Sequence, residues 1–318
     1  MISKGKELFK KSKGMNELGI LITLVAISVL IGVINPVFFN INNILNVLRS
    51  ISVTAIIATG AAYVIITGGI DLSVGSFLTF GGVLCAFLSS IGINPWISLI
   101  LTFIAAAMLG SVTGVLVVVL NINSFIATLA MMNVVKGIAY LISLGLPIKF
   151  NTVLNFLGDK INGVFPVPII IMLLVMTIGH IVLKKTEYGR KLFAVGGNEK
   201  AAKLSGINTK RVKFSVYIII AILSAFAGII TASNTSSADT AMGNDKELDT
   251  IAAAVIGGCS LSGGEGSIVG VLIGAAILGV IRNGFVLLRI STYWQMITVG
   301  VVIAIACALD QIKMMKRR

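Results

Sequence analysis

A chain of 318 residues that is 57% hydrophobic and 12% charged has about half the charge of a soluble domain, where roughly a quarter of residues are charged, and it reads as a membrane protein. Ten segments of about 20 residues use roughly 200 positions, which leaves no room for a separate soluble domain. The net charge of +13 does not point to nucleic acid, because eighteen of the 25 Lys and Arg fall in Lys4–Lys13, Lys184–Lys213 and Lys313–Arg318, beside apolar runs. That is the positive-inside pattern, and basic tracts of this kind also attract anionic membrane lipid.

In chain order, a basic cytoplasmic tail (1–17) leads into an apolar run near 18–34. This run is longer than a signal-peptide core, and the following INPVFFN offers no small-x-small cleavage site, so it reads as a retained first span. Further runs lie near 44–67, 74–90, 95–119, 123–143, 166–183, 214–232, 249–267, 268–288 and 293–310. Helices satisfy their own backbone in lipid, and runs this long lack the ten-residue alternation of barrel strands. The expected fold is all-α: a polytopic transmembrane helical bundle of about ten spans. Both termini are placed in the cytoplasm by parity, with six crossings before the basic segment 184–213 and two assigned to 249–288. The membrane domain covers 18–310 and a second basic cytoplasmic tail 311–318. The polar segments 144–165 and 233–247 then face outward, either as docking surfaces or as solvated loops.

Within the apolar background, TGGIDLSVGS raises the question of a buried carboxylate. Asp71 lies beside Gly68 and Gly69, which break helices, and near Ser73 and Ser76, which can bond the freed backbone. An intramembrane carboxylate is costly unless it faces protein or a wet path, so these five residues read either as a structural bend or as part of a translocation path. GGIDLS is echoed by GGCSLS 189 positions later, by duplication of an interrupted helix or by chance. Gly266, Gly270 and Gly274 are spaced four apart, as on one face of a close-packed helix. Arg282 and Lys136 either snorkel or pair inward. Cys85, Cys259 and Cys307 are isolated core residues, and the single His180 supports neither a metal cluster nor a catalytic triad. No metal or cofactor is expected. The phosphate-binding G-x-x-x-x-G-K-[ST] loop is absent from the sequence, so ATP hydrolysis falls to a partner.

The central segment contains NEKAAKLSG, which carries a helix signature. Asn198 stands as N-cap, Glu199 in the first turn, Lys203 toward the end and Gly206 as the stop. A short amphipathic helix here is either a lever for a soluble partner or a helix resting on lipid headgroups. GGIDLSVGS, EYGRKLFAVGGNEKAAKLSGIN and ELDTIAAAVIGGCSLSGGEGSIVGVLIGAAILG, in this order, resemble the permease subunit of bacterial ABC importers for ribose and related monosaccharides. The likeness spans roughly nine-tenths of the chain. It implies a cytoplasmic ABC ATPase, an extracytoplasmic sugar-binding protein and a second copy of this chain. It also implies that 184–213 is the coupling loop, with Gly196, Gly197, Asn198, Glu199, Ala201, Ala202 and Gly206 in the segment that meets the ATPase.

The expected function is translocation of a monosaccharide, ribose first, by alternating access in the bacterial inner membrane. An ion-coupled secondary transporter of a small neutral solute is the alternative, but it calls for paired carboxylates in the spans, and only Asp71 and Asp249 qualify. A channel lacks a filter or a ring of charges here, and a membrane enzyme lacks a nucleophile and base.

Overall fold

The computed structural model describes residues 2–315, without the side chains of 2–16, 306, 309, 310, 313 and 314. The ends of both basic tails therefore lie outside the described residues. Twelve α-helices dominate the described residues: α1 Ile2–Ile34, α2 Ile41–Ile66, α3 Val74–Ser90, α4 Pro95–Val118, α5 Ser124–Ser143, α6 Val167–Lys185, α7 Glu187–Gly197, α8 Glu199–Leu204, α9 Thr209–Thr235, α10 Lys246–Ile256, α11 Ile268–Leu287 and α12 Thr292–Met315. The helical membrane bundle expected from the sequence is present. Seven of these helices are long and apolar enough to cross a bilayer, and α3 and part of α12 are shorter apolar helices.

Asparagine sets many of the boundaries. Asn40, Asn94, Asn123, Asn198 and Asn208 each accept a backbone N–H from the first turn of the helix that follows, which satisfies a donor with no partner inside the helix. Pro95 follows Asn94 at a position where a missing N–H costs nothing.

Burial separates the centre from the rim. In the most apolar window of α2, 83% of residues are buried, against 28% for α4 and α5 and 11% for the apolar part of α1. Helix α2 is the hub, packed against α6, α9, α10 and α11. Lipid is as apolar as leucine, so contact between helices rests on close van der Waals fit between small residues. Helix α9 supplies Ala221, Ala225, Gly228 and Ala232 to this end. A Cβ at Gly228 would sit 1.8 Å from the Leu78 carbonyl oxygen, so α3 crosses α9 at backbone contact.

Four two-residue strands trim one end of the bundle. Strand β1 (Ile148–Lys149) pairs antiparallel with β4 (Ser237–Ala238), and β2 (Lys160–Ile161) with β3 (Phe165–Pro166). The expected polar loop 144–165 is thus a folded cap. Its Phe150 and Leu154 are fully buried, the Gly158 N–H donates to Ser233 Oγ at 2.7 Å, and the Arg49 guanidinium donates to the Gly158 carbonyl.

Two expectations are corrected. The run 249–267 is not a single helix: α10 ends at Ile256, and 257–267 is a non-helical turn built on glycine and serine. Eleven residues rise about 16 Å, roughly half of a 30 Å hydrocarbon layer. Gly266 is not on a helix face either, because it precedes the Ser267 N-cap of α11. It lies against the Ile66 side chain, while Gly270 and Gly274 take the carbonyls of Gly257 and Ala253 on α10, within one subunit.

Candidate functional site

The ends of α2 and α10 are closed by the same device. After α2, the Gly69 N–H reaches Val64 O at 3.0 Å and the Gly68 N–H reaches Ile65 O at 2.9 Å. After α10, Cys259 N–H reaches Ala254 O and Gly258 N–H reaches Val255 O, both at 2.9 Å. This is the pair of bonds that terminates a helix on a left-handed glycine. Gly68 has φ +81° and Gly258 φ +86°. The two glycines lie 190 positions apart, so the matching conformations are one residue out of step with the GGIDLS and GGCSLS alignment.

The turn after α2 is pinned from three sides. Ser124 Oγ, in the first turn of α5, accepts the Ile70 N–H at 3.2 Å, and Thr128 Oγ1 accepts the Leu72 N–H at 3.1 Å. Asp71 is 5% exposed. Its Oδ1 accepts from the Ser73 N–H at 2.8 Å and from the Ser73 hydroxyl at 2.5 Å. The carboxylate thus holds the turn that starts α3 by replacing its lost water with donors from its own backbone. Ser76 stands apart, one turn into α3, facing a cavity.

The two turns meet each other and α7. The Gly264 N–H donates to Ile66 O at 2.8 Å. A Cβ on Gly196 would lie 1.7 Å from Ile66 O and 2.6 Å from Gly264 N, and one on Gly263 would lie 3.1 Å from Gly68 N. Gly196 is therefore the wedge by which α7 touches the end of α2 and the turn between α10 and α11 at once. A Cβ on Gly197, its neighbour, would meet nothing within 4 Å.

Asn198 then caps α8, its side chain accepting the Ala201 N–H at 3.0 Å, as the sequence predicts. Ala202 is buried, Ala201 is exposed, and Gly206 takes φ +82° in open space. Glu199 pairs with Lys213 of α9 at 2.5 Å. Burial raises the Glu199 carboxyl, but the bonds and charges of Lys213, with Thr209 and Lys203, outweigh it and hold the group below its ordinary value. Glu187, fully exposed, is also held low by the bond and charge of Lys191. Leu204 is 91% exposed at the end of α8. Beside it, a basic concavity of about 930 Å³ is lined by Val117, Asn121, Glu199, Lys203, Lys210 and Lys213.

Sequence reasoning missed α7 as a separate helix, the Ser124 and Thr128 pins, and Leu204. The Leu204 signal was present as an apolar residue in an otherwise polar helix. The pins carried no signal, since hydroxyls at a helix start read only as helix polarity. The charges left without partners now have them: Arg282 donates to Asp249 Oδ1 at 2.5 Å, Lys246 lies 3.7 Å from Asp249, and Lys136 donates to Asn244 at 3.0 Å. Cys85 and Cys259 are buried and Cys307 is partly so, none of the three in a disulfide.

Residues 43–307 match the model of the family described as branched-chain amino acid transport system / permease component. The chain belongs to this permease family. It is similar to the ribose import permease protein of Escherichia coli K12, 41% identical over 315 residues, covering 97% of this chain and 98% of that one. The counterpart from Bacillus subtilis 168 is 42% identical over 302 residues, covering 94% of each. The D-allose transport system permease protein of E. coli K12 is 33% identical over 314 residues, covering 96% and 95%. No solved structure matches. As a permease with several apolar helices long enough to cross a bilayer, the chain is a multi-pass protein of the bacterial inner membrane.

Proposed function

We propose that this permease is the membrane-spanning subunit of an ATP-driven importer that translocates a monosaccharide, ribose first among the candidates, by alternating access. The whole-length similarity to ribose import permeases carries the reading, and the relatives named for D-allose and L-arabinose keep the substrate class to simple sugars. Two copies, a cytoplasmic ATPase and an extracytoplasmic binding protein complete the machine. The chain makes ten crossings, nine by helices α1 to α6, α9, α11 and α12 and the tenth by the loop after α9 together with the half-length α10, with both termini and 184–213 on the cytoplasmic side. The permease domain is 18–310, and its coupling loop is 184–213.

The geometry supplies a mechanism. A partner gripping α8, through exposed Leu204 and the basic concavity, moves α7. Helix α7 has no slack against Ile66 and Gly264, because Gly196 touches backbone directly. Displacement therefore passes to the ends of α2 and α10 and to the turns leading into α3 and α11. A rigid lever on two turns fits alternating access, in which helices reorient about a fixed centre.

The test is reconstitution of the chain in vesicles with candidate ATPase and sugar-binding partners. Uptake of labelled D-ribose that requires both partners and ATP is the expected result. Uptake that persists without ATP and follows a sodium or proton gradient overturns the proposal in favour of ion coupling.

A further inference from the structure

A cavity of about 300 Å³ lies between α3, α5 and the loop before α10, lined by Gly75, Ser76, Thr79, Met132, Lys136 and the stretch Gly243–Glu247. We propose that it is a binding station for a neutral polyhydroxylated solute of pentose size on the translocation route, a proposal that rests on the sugar-importer reading above.

Depth is the first argument. Lys136 is twelve residues beyond Ser124, where α5 begins, a rise of roughly 18 Å, so the cavity sits near the middle of a 30 Å hydrocarbon layer. Helix α10 begins at the same level, since a Cβ on Gly75 would lie 2.3 Å from Gly243 O and 2.5 Å from Glu247 Oε2. A charged, open cleft at that depth is costly against lipid. It is consistent with a water-filled path or the face of a second copy.

The lining chemistry is the second argument. Ser76 and Thr79 are 5% and 2% exposed, yet among the described residues neither hydroxyl has a protein hydrogen-bond partner. Buried hydroxyls ordinarily bond, and threonine in a helix ordinarily turns back to a carbonyl one turn earlier. These two instead face the cavity, where water or a ligand hydroxyl can reach them. Lys136, held by Asn244 at 3.0 Å, adds donors, and Asp245 and Glu247 add acceptors. The lining thus carries both donors and acceptors, which suits a sugar whose every hydroxyl both gives and takes. The ammonium group among the carboxylates counts against a metal-cation site. The volume is at the low end of small-molecule pockets, roughly 300–1,000 Å³, and is enough for a monosaccharide.

Backbone contact keeps the space open. Gly75 and Gly243 lie so close that a Cβ on Gly243 would come within 1.9 Å of Gly75 O. The loop therefore cannot slide along α3 to fill the cavity without losing this contact.

The experiment uses the complete transport complex in vesicles, with Thr79→Val and Ser76→Ala as variants and Thr79→Ser as the conservative control. Both uptake of labelled D-ribose and ATP hydrolysis stimulated by the sugar-loaded binding protein are measured. The expected result is a fall of about tenfold in ribose uptake for Thr79→Val, the loss of one hydrogen bond. Stimulated hydrolysis stays within about twofold, and Thr79→Ser restores transport. Unchanged uptake in both variants overturns the station, as does a parallel loss of uptake and hydrolysis that Thr79→Ser does not rescue. Absence of ATP-dependent ribose uptake by the unaltered complex overturns the importer reading itself, and the station with it.

Discussion

Two residues show how this chain accommodates polarity inside an apolar bundle. Asp71 is answered locally, by a backbone N–H and a hydroxyl two residues away. Asp249 is answered at long range, by Arg282 from α11 and Lys246 from its own helix. Asp249→Asn leaves the Arg282 charge without its counter-ion. A fully buried pair broken in this way costs about 3–5 kcal/mol, but the Arg282 side chain is 36% exposed, so a loss of about 2 kcal/mol is expected. It is to be read as a lower unfolding temperature in detergent, with Asp249→Asn/Arg282→Met recovering part of it. The presence of Asp71 and Asp249 was legible in the sequence, and so was their cost. Their partners were not, because Arg282 and Asp249 are 33 residues apart and nothing in a local pattern pairs them. Gly196 and Gly197 read identically as a dipeptide, yet only at Gly196 would an added Cβ strike backbone. Gly196→Ala is expected to lose at least tenfold in transport or to fail to assemble, while Gly197→Ala, with open space around it, keeps both within about twofold, as measured by uptake beside membrane yield.

At the scale of elements, the segment 198–206 was the most readable part. An asparagine cap, an acidic first turn and a terminal glycine predicted α8 within a residue of its observed bounds, because capping is local chemistry. Asn198→Ala should therefore cost about 1 kcal/mol of local helix stability, visible as faster amide exchange in α8 without a change elsewhere. The bond between Glu199 and Lys213 adds a pH dependence. The carboxyl sits below its ordinary value in the folded protein, so its contribution is complete above the unfolded value of 4.5. It is lost as pH falls through the lowered folded value. Amide exchange at the joint of α8 and α9 should accelerate on acidification below that point and not between pH 6 and 8. In contrast, α10 and the turn after it were misread as one run from 249 to 267. Periodicity cannot see a helix that covers only half the depth, since the small glycines and serines of the turn that follows carry no strong break between α10 and α11.

For the molecule as a whole, composition alone placed the chain in the membrane, and its three basic clusters gave an orientation that remains a proposal. What the sequence could not supply is the convergence of α7 with the end of α2 and the turn between α10 and α11. That convergence brings together backbone separated by up to roughly 200 residues, through glycines that carry no side-chain signal. The same convergence gives the proposed mechanism its core, a lever acting on two turns.

The most direct measurement is site-specific crosslinking from the tip of that lever. With Leu204→Cys in the assembled complex in inside-out vesicles, the account predicts a crosslink to the ATPase subunit, with residue 204 modified by a membrane-impermeant thiol reagent added from the cytoplasmic side. Modification of residue 204 only from the outer face, or no crosslink in a complex that still couples ATP hydrolysis to sugar uptake, would contradict it.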